Sequence, residues 1–162
     1  MKWTLSNDNT APVITAEKHI HSRHIHADTG SLPQTCVIFE IGMALKLLET
    51  SYETVTLFDK LPCFLEDSQC IAIKGNNHVC FTRGGYGAPA AVDTLETIRA
   101  LGAKRIVIVG MCGGFADNIN VCDVIVPNKV FCEEGTSFHY FEDIQFAEPN
   151  VFLFNKAQAS AF

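Results

Sequence analysis

The chain has 162 residues, 48% hydrophobic and 19% charged, with a formal net charge of -6. Those values fit a single globular domain with a sizeable core and exclude a disordered chain. The negative charge, with no basic run to oppose it, argues against a nucleic-acid partner.

Residues 1–35 are polar and rich in Thr, Asn and His, and read as an N-terminal arm before an α/β domain at 36–162. Neither this stretch nor anything after it approaches a secretory signal or the ~18 apolar residues of a membrane span. The arm holds His19, His21, His24 and His26. If extended, His19 and His21 share a face, as do His24 and His26; if helical, His21 and His24 are neighbours. Beyond Asp28 no nearby Cys or carboxylate completes a ligand set, so a polar arm is preferred and no metal site is assigned.

Strand patterns follow at 36–41, 54–58, 69–73 and 78–82, with a short helix at 43–49 that sets Leu45 and Leu48 on one face. Gly75-Asn76-Asn77, between two β-rich runs, signals a hairpin turn. The strongest helix pattern runs from Pro89 to Leu101, with proline at the first turn and Gly102 just past the end. Ala91, Leu95 and Ile98, flanked by Val92 and Leu101, make its apolar stripe; Asp93, Glu96 and Arg99 fall on the solvated side. Ile106 to Val109 is apolar without alternation, as expected of a central parallel strand covered on both faces. A further strand is expected at Cys122–Val126, stopped by Pro127, and another near 129–132. Parallel strands joined by helical crossovers define the α/β class. The last twelve residues begin like a helix and end without a cap or polar tail. Either the domain continues past residue 162, leaving it incomplete at the C-terminus, or a short final helix docks on the sheet.

Seven cysteines stand at 36, 63, 70, 80, 112, 122 and 132, an odd number with no C-x-x-C pair. Most lie in apolar runs, so buried, reduced thiols of a cytoplasmic protein are expected.

The chemistry concentrates in two glycine-rich turns, Gly84-Gly85-Tyr86-Gly87 and Gly110-Met111-Cys112-Gly113-Gly114. One helix-strand unit joins them, so both open on the carboxyl edge of one parallel sheet, where such sheets place ligands. Glycines there let backbone N–H groups approach a small polar molecule. A dinucleotide fingerprint requires G-x-G-x-x-G leading into a helix, whereas the second turn leads into another strand pattern. No Gly-Lys-Ser/Thr supports a Walker-type loop, and no cofactor is expected.

Gly85-Tyr86-Gly87-Ala88-Pro89, the helix after it, Val109 to Gly114, Asn120-Val121-Cys122-Asp123 and Glu134 to Tyr140 together resemble the nucleoside phosphorylase family. That family includes uridine and purine nucleoside phosphorylases and related nucleosidases. The likeness covers residues 84 to 140 and implies a three-layer α/β/α sandwich around a twisted mixed sheet. It also implies a small-molecule partner, a nucleoside or nucleotide, whose N-glycosidic bond is cleaved, with no nucleic-acid or membrane partner. Homo-oligomers, dimers or hexamers, are the implied assembly, and an N-terminal histidine could reach a neighbour's pocket in such an oligomer. Carried over by position, the substrate-binding residues are Tyr86, Gly110, Met111, Cys112, Gly113, Ser137, His139 and Tyr140. Asp123 is assigned a structural role. At Gly113 a branched side chain would fill ligand space and resist any positive φ.

The departures from the family bear on mechanism. Uridine-type phosphorylases carry Arg-Ile-Gly-Thr-Thr-Gly in the second turn, where the arginine and first threonine bind phosphate. Here Ile108 and Met111 stand in those places, and the N-terminal Gly-Asp-Pro-x-Arg turn is absent. Hydrolysis is therefore expected over phosphorolysis. The family's ribose-binding Met-Glu and its catalytic acid lie in a later half without counterpart here, so the catalytic residues are unknown. Cys112 is read as small-residue packing beside the pocket rather than as a nucleophile. Of Glu133 and Glu134, at most one would face a pocket if both lay on a strand. Arg83 is read as a surface residue at a strand end, or as a counter-charge at the first turn.

Overall fold

The computed structural model describes residues 11–22 and 30–160. Five strands, β1 (Thr35–Phe39), β2 (Thr54–Phe58), β3 (Cys70–Ile73), β4 (Val79–Arg83) and β5 (Arg105–Val109), form one mixed sheet in the order β2-β3-β4-β1-β5. β1 runs parallel to both β4 and β5, while β2–β3 and β3–β4 are antiparallel. The expected hairpin joins β3 to β4: Gly75 has φ +84, and Asn76 donates its N–H to the Ile73 carbonyl at 2.9 Å. The α/β class and the mixed sheet are as the sequence implies.

Alternation decides which side chains enter the core. In β1 and β4 every second residue is buried, and the register sets Cys36 beside Cys80 and Ile38 beside Thr82 on one face. Thr82 is tolerated there because its hydroxyl donates to the Gln69 carbonyl at 2.8 Å. The opposite face carries Phe39 and Phe81, stacked with centroids 6.1 Å apart. All seven cysteines are free, and Cys36, Cys63, Cys70 and Cys80 are buried. Hydrogen bonding to Cys80, together with burial, pushes the Cys36 and Cys70 thiols far up, so both stay protonated and act as small apolar packing groups.

The helix α3 (Ala88–Ala100) closes over the buried face of the sheet. Ile98 and Leu101 join the core, and Gly102 ends the helix with φ +107. Thr94 and Thr97 are buried as well, a pair the apolar stripe did not contain; Thr94 satisfies its hydroxyl on the Ala90 carbonyl at 3.0 Å. Asp93 is not simply a solvated residue, because its carboxylate accepts the Phe64 N–H at 2.8 Å and ties the loop after β2 to α3.

A short helix, α1 (Ala16–Ile20), lies within the stretch whose composition reads as an arm, and it packs on α3. Ile20 and Leu32 join the core cluster, and Leu32 donates its N–H to the Leu101 carbonyl at 2.8 Å. Short apolar insertions in a polar stretch lack the periodicity that would reveal them in sequence. His24 and His26 lie outside the described residues. Of the other two, His19 stacks on Phe64 with ring centroids 5.4 Å apart. Among the described residues no three His, Cys, Asp or Glu side chains are arranged to hold a metal ion, and no helix is long and apolar enough to cross a membrane.

Two sequence expectations fail beyond α3. β5 is an edge strand rather than a central one, and Val107, Ile108 and Val109 are each more than a third exposed. Residues 122–126 form no strand: Cys122 adopts φ +79 inside a turn, and Val124 and Ile125 are exposed. A strand exists only with a hydrogen-bonded neighbour, and β5 is paired on its β1 side alone among the described residues. The helix expected at 43–49 is α2 (Ala44–Ser51), with Leu45 and Leu48 half-buried on one face. A small antiparallel pair, β6 (Val130–Phe131) with β7 (Phe146–Ala147), precedes the final helix α4 (Val151–Ser160). That helix starts where expected, its first turn capped by the Asn150 side chain, which accepts the Leu153 N–H at 3.2 Å.

Candidate functional site

Because β4, β1 and β5 are mutually parallel and adjacent, their carboxyl ends meet on one edge. The chain after β4 supplies the first glycine turn there and the chain after β5 supplies the second. β1 lies between them, so the residue following it, Glu40, emerges between the two turns. Backbone bonds lock this junction: Glu40 N–H donates to Val109 O at 2.8 Å, and Gly84 N–H donates to Phe39 O at 3.1 Å. Sequence alone placed Glu40 inside a strand. Its one visible signal is an acidic residue directly after an apolar β run.

The three ends enclose an open cleft of about 530 Å³, lined by Glu40, Gly85, Tyr86, Gly87, Ala88, Ala91, Ile108 and Met111. Tyr86 is held by its hydroxyl, which donates to the Glu40 carbonyl at 3.0 Å, while 65% of the residue stays exposed as a platform. Gly87 begins α3 with φ +87 and ψ 150, a conformation nearly confined to glycine, and no side chain caps the first turn of that helix. Two of the glycines, Gly84 and Gly85, serve close packing, whereas Gly110 would admit a Cβ at ordinary contact distance. A Cβ on Gly84 would collide with the Glu40 carboxylate, one on Gly85 would lie 2.7 Å from Ala90 Cβ, and one on Gly110 would touch Glu40 Cβ at 3.5 Å.

The expected site residues divide into groups. Tyr86 and Met111 line the cleft, and Gly110 borders it through Glu40. Cys112 is exposed on the second turn and is not among the lining residues. Gly113 has no positive φ and only open space where a Cβ would stand, so neither strain nor a clash reserves that position for glycine. Ser137 and His139 lie in a 3-10 turn (Ser137–His139) and do not line the cleft. Tyr140 follows it and donates its hydroxyl to Glu96 on α3 at 2.7 Å. Burial and Glu96 push that phenol up to about 12, so it stays a donor. Glu134 accepts the N–H groups of Thr136 and Ser137 at 2.6 and 3.0 Å, which makes it the cap of that turn rather than a pocket acid. Asp123 likewise accepts the Asn120 N–H at 2.7 Å and closes a turn.

Electrostatically the cleft is unusual for a site meant to hold an anion. Among the described residues Glu40 is the only charged side chain lining it, and Oε2 of that carboxylate is buried without a hydrogen-bond partner among them. Burial raises the Glu40 pKa above its ordinary value, with Arg83 offsetting part of the rise. Arg83 is itself engaged with Asp67 at 2.5 Å, and its guanidinium lies 5.9 Å from the Tyr86 ring centroid.

A raised carboxyl pKa means that the folded chain holds its proton more tightly than the unfolded one. Stability from this group is therefore lost as pH rises from the unfolded glutamate value through the folded one, and the cost persists at neutral pH. Glu40→Gln is expected to raise the melting temperature at neutral pH and to give a smaller gain near pH ~4. Solvent screening at this half-buried position keeps the gain below ~1 kcal/mol. Thermal melts of both proteins at the two pH values check it, and an equal or larger gain in acid would contradict it.

Residues 34–161 match the family model of the phosphorylase superfamily, most of the chain and both glycine turns included. The chain belongs to that superfamily. It is similar to a DeoD-type purine nucleoside phosphorylase of Brevibacillus brevis, 26% identical over 141 residues, covering 84% of this chain and 58% of that protein. A DeoD-type purine nucleoside phosphorylase of an Exiguobacterium species is 25% identical over 148 residues, covering 86% and 59%. One from Colwellia psychrerythraea is 21% identical over 135 residues, covering 76% and 53%. This phosphorylase-superfamily chain thus spans a little over half the length of the curated relatives it matches.

Proposed function

We propose that this chain forms the nucleoside-binding part of an enzyme that cleaves the N-glycosidic bond of a nucleoside or nucleotide, with water rather than phosphate as nucleophile. Superfamily membership supports the bond type. The observation that carries the nucleophile is the cleft wall: Ile108 and Met111 stand where the phosphorylases it resembles use an arginine and a threonine. Neither side chain can give an anion the charge-assisted hydrogen bonds that phosphate binding requires. Tyr86 offers a ring face to a base or ribose, and the glycine turns leave room beside it. Residues 36–162 would constitute the phosphorylase-like domain and 1–35 its arm, in a cytoplasmic homo-oligomer, a dimer or hexamer.

A second reading has its own support, because no cleft residue matches the family's acidic catalytic position. The 162-residue chain would then bind nucleoside without breaking it. It is expected to release no base above a Met111→Arg control, since transition-state stabilisation needs both the leaving-group partner and the ribose ligands. A longer form carrying the family's Met-Glu and acidic residue is expected to release free base at a rate that phosphate does not raise. Base release from adenosine, uridine and AMP, with and without phosphate, measures both. Ribose 1-phosphate as the product would sink the hydrolytic reading.

Binding is tested separately by ligand-observed NMR with the same three compounds. Adenosine or uridine is expected to bind in roughly the millimolar range, about -4 kcal/mol. Tyr86→Ala is expected to weaken this by ~1 kcal/mol through lost stacking area. Unchanged affinity in the folded variant would move the site away from the first turn.

A further inference from the structure

We propose that Glu40 determines specificity in this cleft: its carboxylate bars inorganic phosphate and admits uncharged ligands such as nucleosides. The inference rests on the nucleoside reading of the cleft and adds the basis on which ligands are selected.

Three observations place a negative charge where an anion would otherwise settle. The carboxylate arises directly from the end of β1, between the two glycine turns, and Glu40 is the sole charged residue of the lining among the described residues. Gly84 has no side chain, and a Cβ there would strike Oε1 of Glu40 and lie 2.7 Å from its Cδ. The carboxylate also lacks a full complement of partners, since Oε2 is buried and unbonded, so its charge is not dispersed into neighbouring N–H groups. Arg83, the cation that acts on Glu40, already serves Asp67.

The rest of the cleft would favour an anion if this charge were removed. Gly87 and Ala88 bring the N-terminus of the thirteen-residue α3 to the cleft, and no side chain caps its first turn. The free N–H groups at such an end, fewer here because Pro89 has none, and the helix dipole attract phosphate. Glu40 lines the same cleft and opposes that attraction, and because the cleft is open to solvent the repulsion responds to salt. A neutral nucleoside meets no such repulsion.

The test measures inorganic phosphate binding by phosphorus NMR titration near neutral pH, for the natural chain and for Glu40→Gln, with circular dichroism confirming that both are folded. The natural chain is expected to show no saturable phosphate binding. Glu40→Gln is expected to bind phosphate at least about tenfold more tightly, a difference of about 1.4 kcal/mol. Added salt should narrow the gap between the two proteins, a response that a merely structural effect of the substitution would not give. Equal phosphate binding by the two folded proteins, or continued exclusion by the glutamine variant, overturns the proposal. Adenosine binding by the natural chain tests the nucleoside reading independently. If adenosine fails to bind while Glu40→Gln gains phosphate, charge exclusion stands and the nucleoside reading falls.

Discussion

Replacing Gly84 with alanine is expected to destabilise the fold by about 2–4 kcal/mol. The added Cβ would meet the Glu40 carboxylate on one side and Cγ2 of Ile38 at 2.6 Å on the other. The glutamate end can swing away, but Ile38 cannot. It is β-branched, 2% exposed, and held in β1 between β4 and β5. The backbone at Gly84 is fixed as well, by its N–H bond to Phe39 O. Urea unfolding of the variant measures the loss. The double variant Gly84→Ala/Glu40→Ala should recover only a minor part of it, because the Ile38 contact remains. Full recovery would assign the clash to Glu40 alone, and a loss below ~0.5 kcal/mol would show that the strand ends are far more yielding than a packed core.

Ile98→Ala is expected to cost about 2–5 kcal/mol. Ile98 is fully buried on α3 and belongs to the same core cluster as Leu101, Ala103 and the isolated N-terminal pair Ile20 and Leu32. Its carbonyl also accepts the Ala103 N–H at 3.1 Å, so the residue anchors both the helix and its exit. Removing three carbons leaves a cavity between α3 and the sheet that neighbouring strands cannot fill without breaking their register. Ile98→Val should cost only ~0.5–1.5 kcal/mol, which separates lost volume from lost helix propensity. Denaturation midpoints of the two variants decide this; a loss under ~1 kcal/mol for alanine, about the uncertainty of extrapolation, would mean that α3 is loosely docked.

Much of the fold was legible in the chain. The hairpin at Gly75, the helix from residue 88 and the strands β1 to β5 follow from period, proline and glycine placement, each acting within a few residues. The common edge of the two glycine turns was legible too, because a strand, a helix and a parallel strand leave little choice of direction. What failed depended on distant partners. β5 has the apolar sequence of a covered strand and stands at the edge, and Val124-Ile125-Val126 has strand composition without a strand beside it.

Within the cleft the same division holds. Tyr86 and Met111, named by position from the family resemblance, both line the cleft, since a turn at a carboxyl edge exposes its side chains wherever the rest of the chain goes. Glu40 was missed, and Glu134 and Asp123 gained roles as caps of local turns. Local spacing and composition set most of the elements, the direction of the parallel crossovers and the lack of an arginine in the second turn. That β1 lies between β4 and β5 emerges only from how the strands pack. That placement brings Glu40 between turns more than forty residues away in the chain, because strand order is fixed by which buried faces fit together rather than by any one strand's residues.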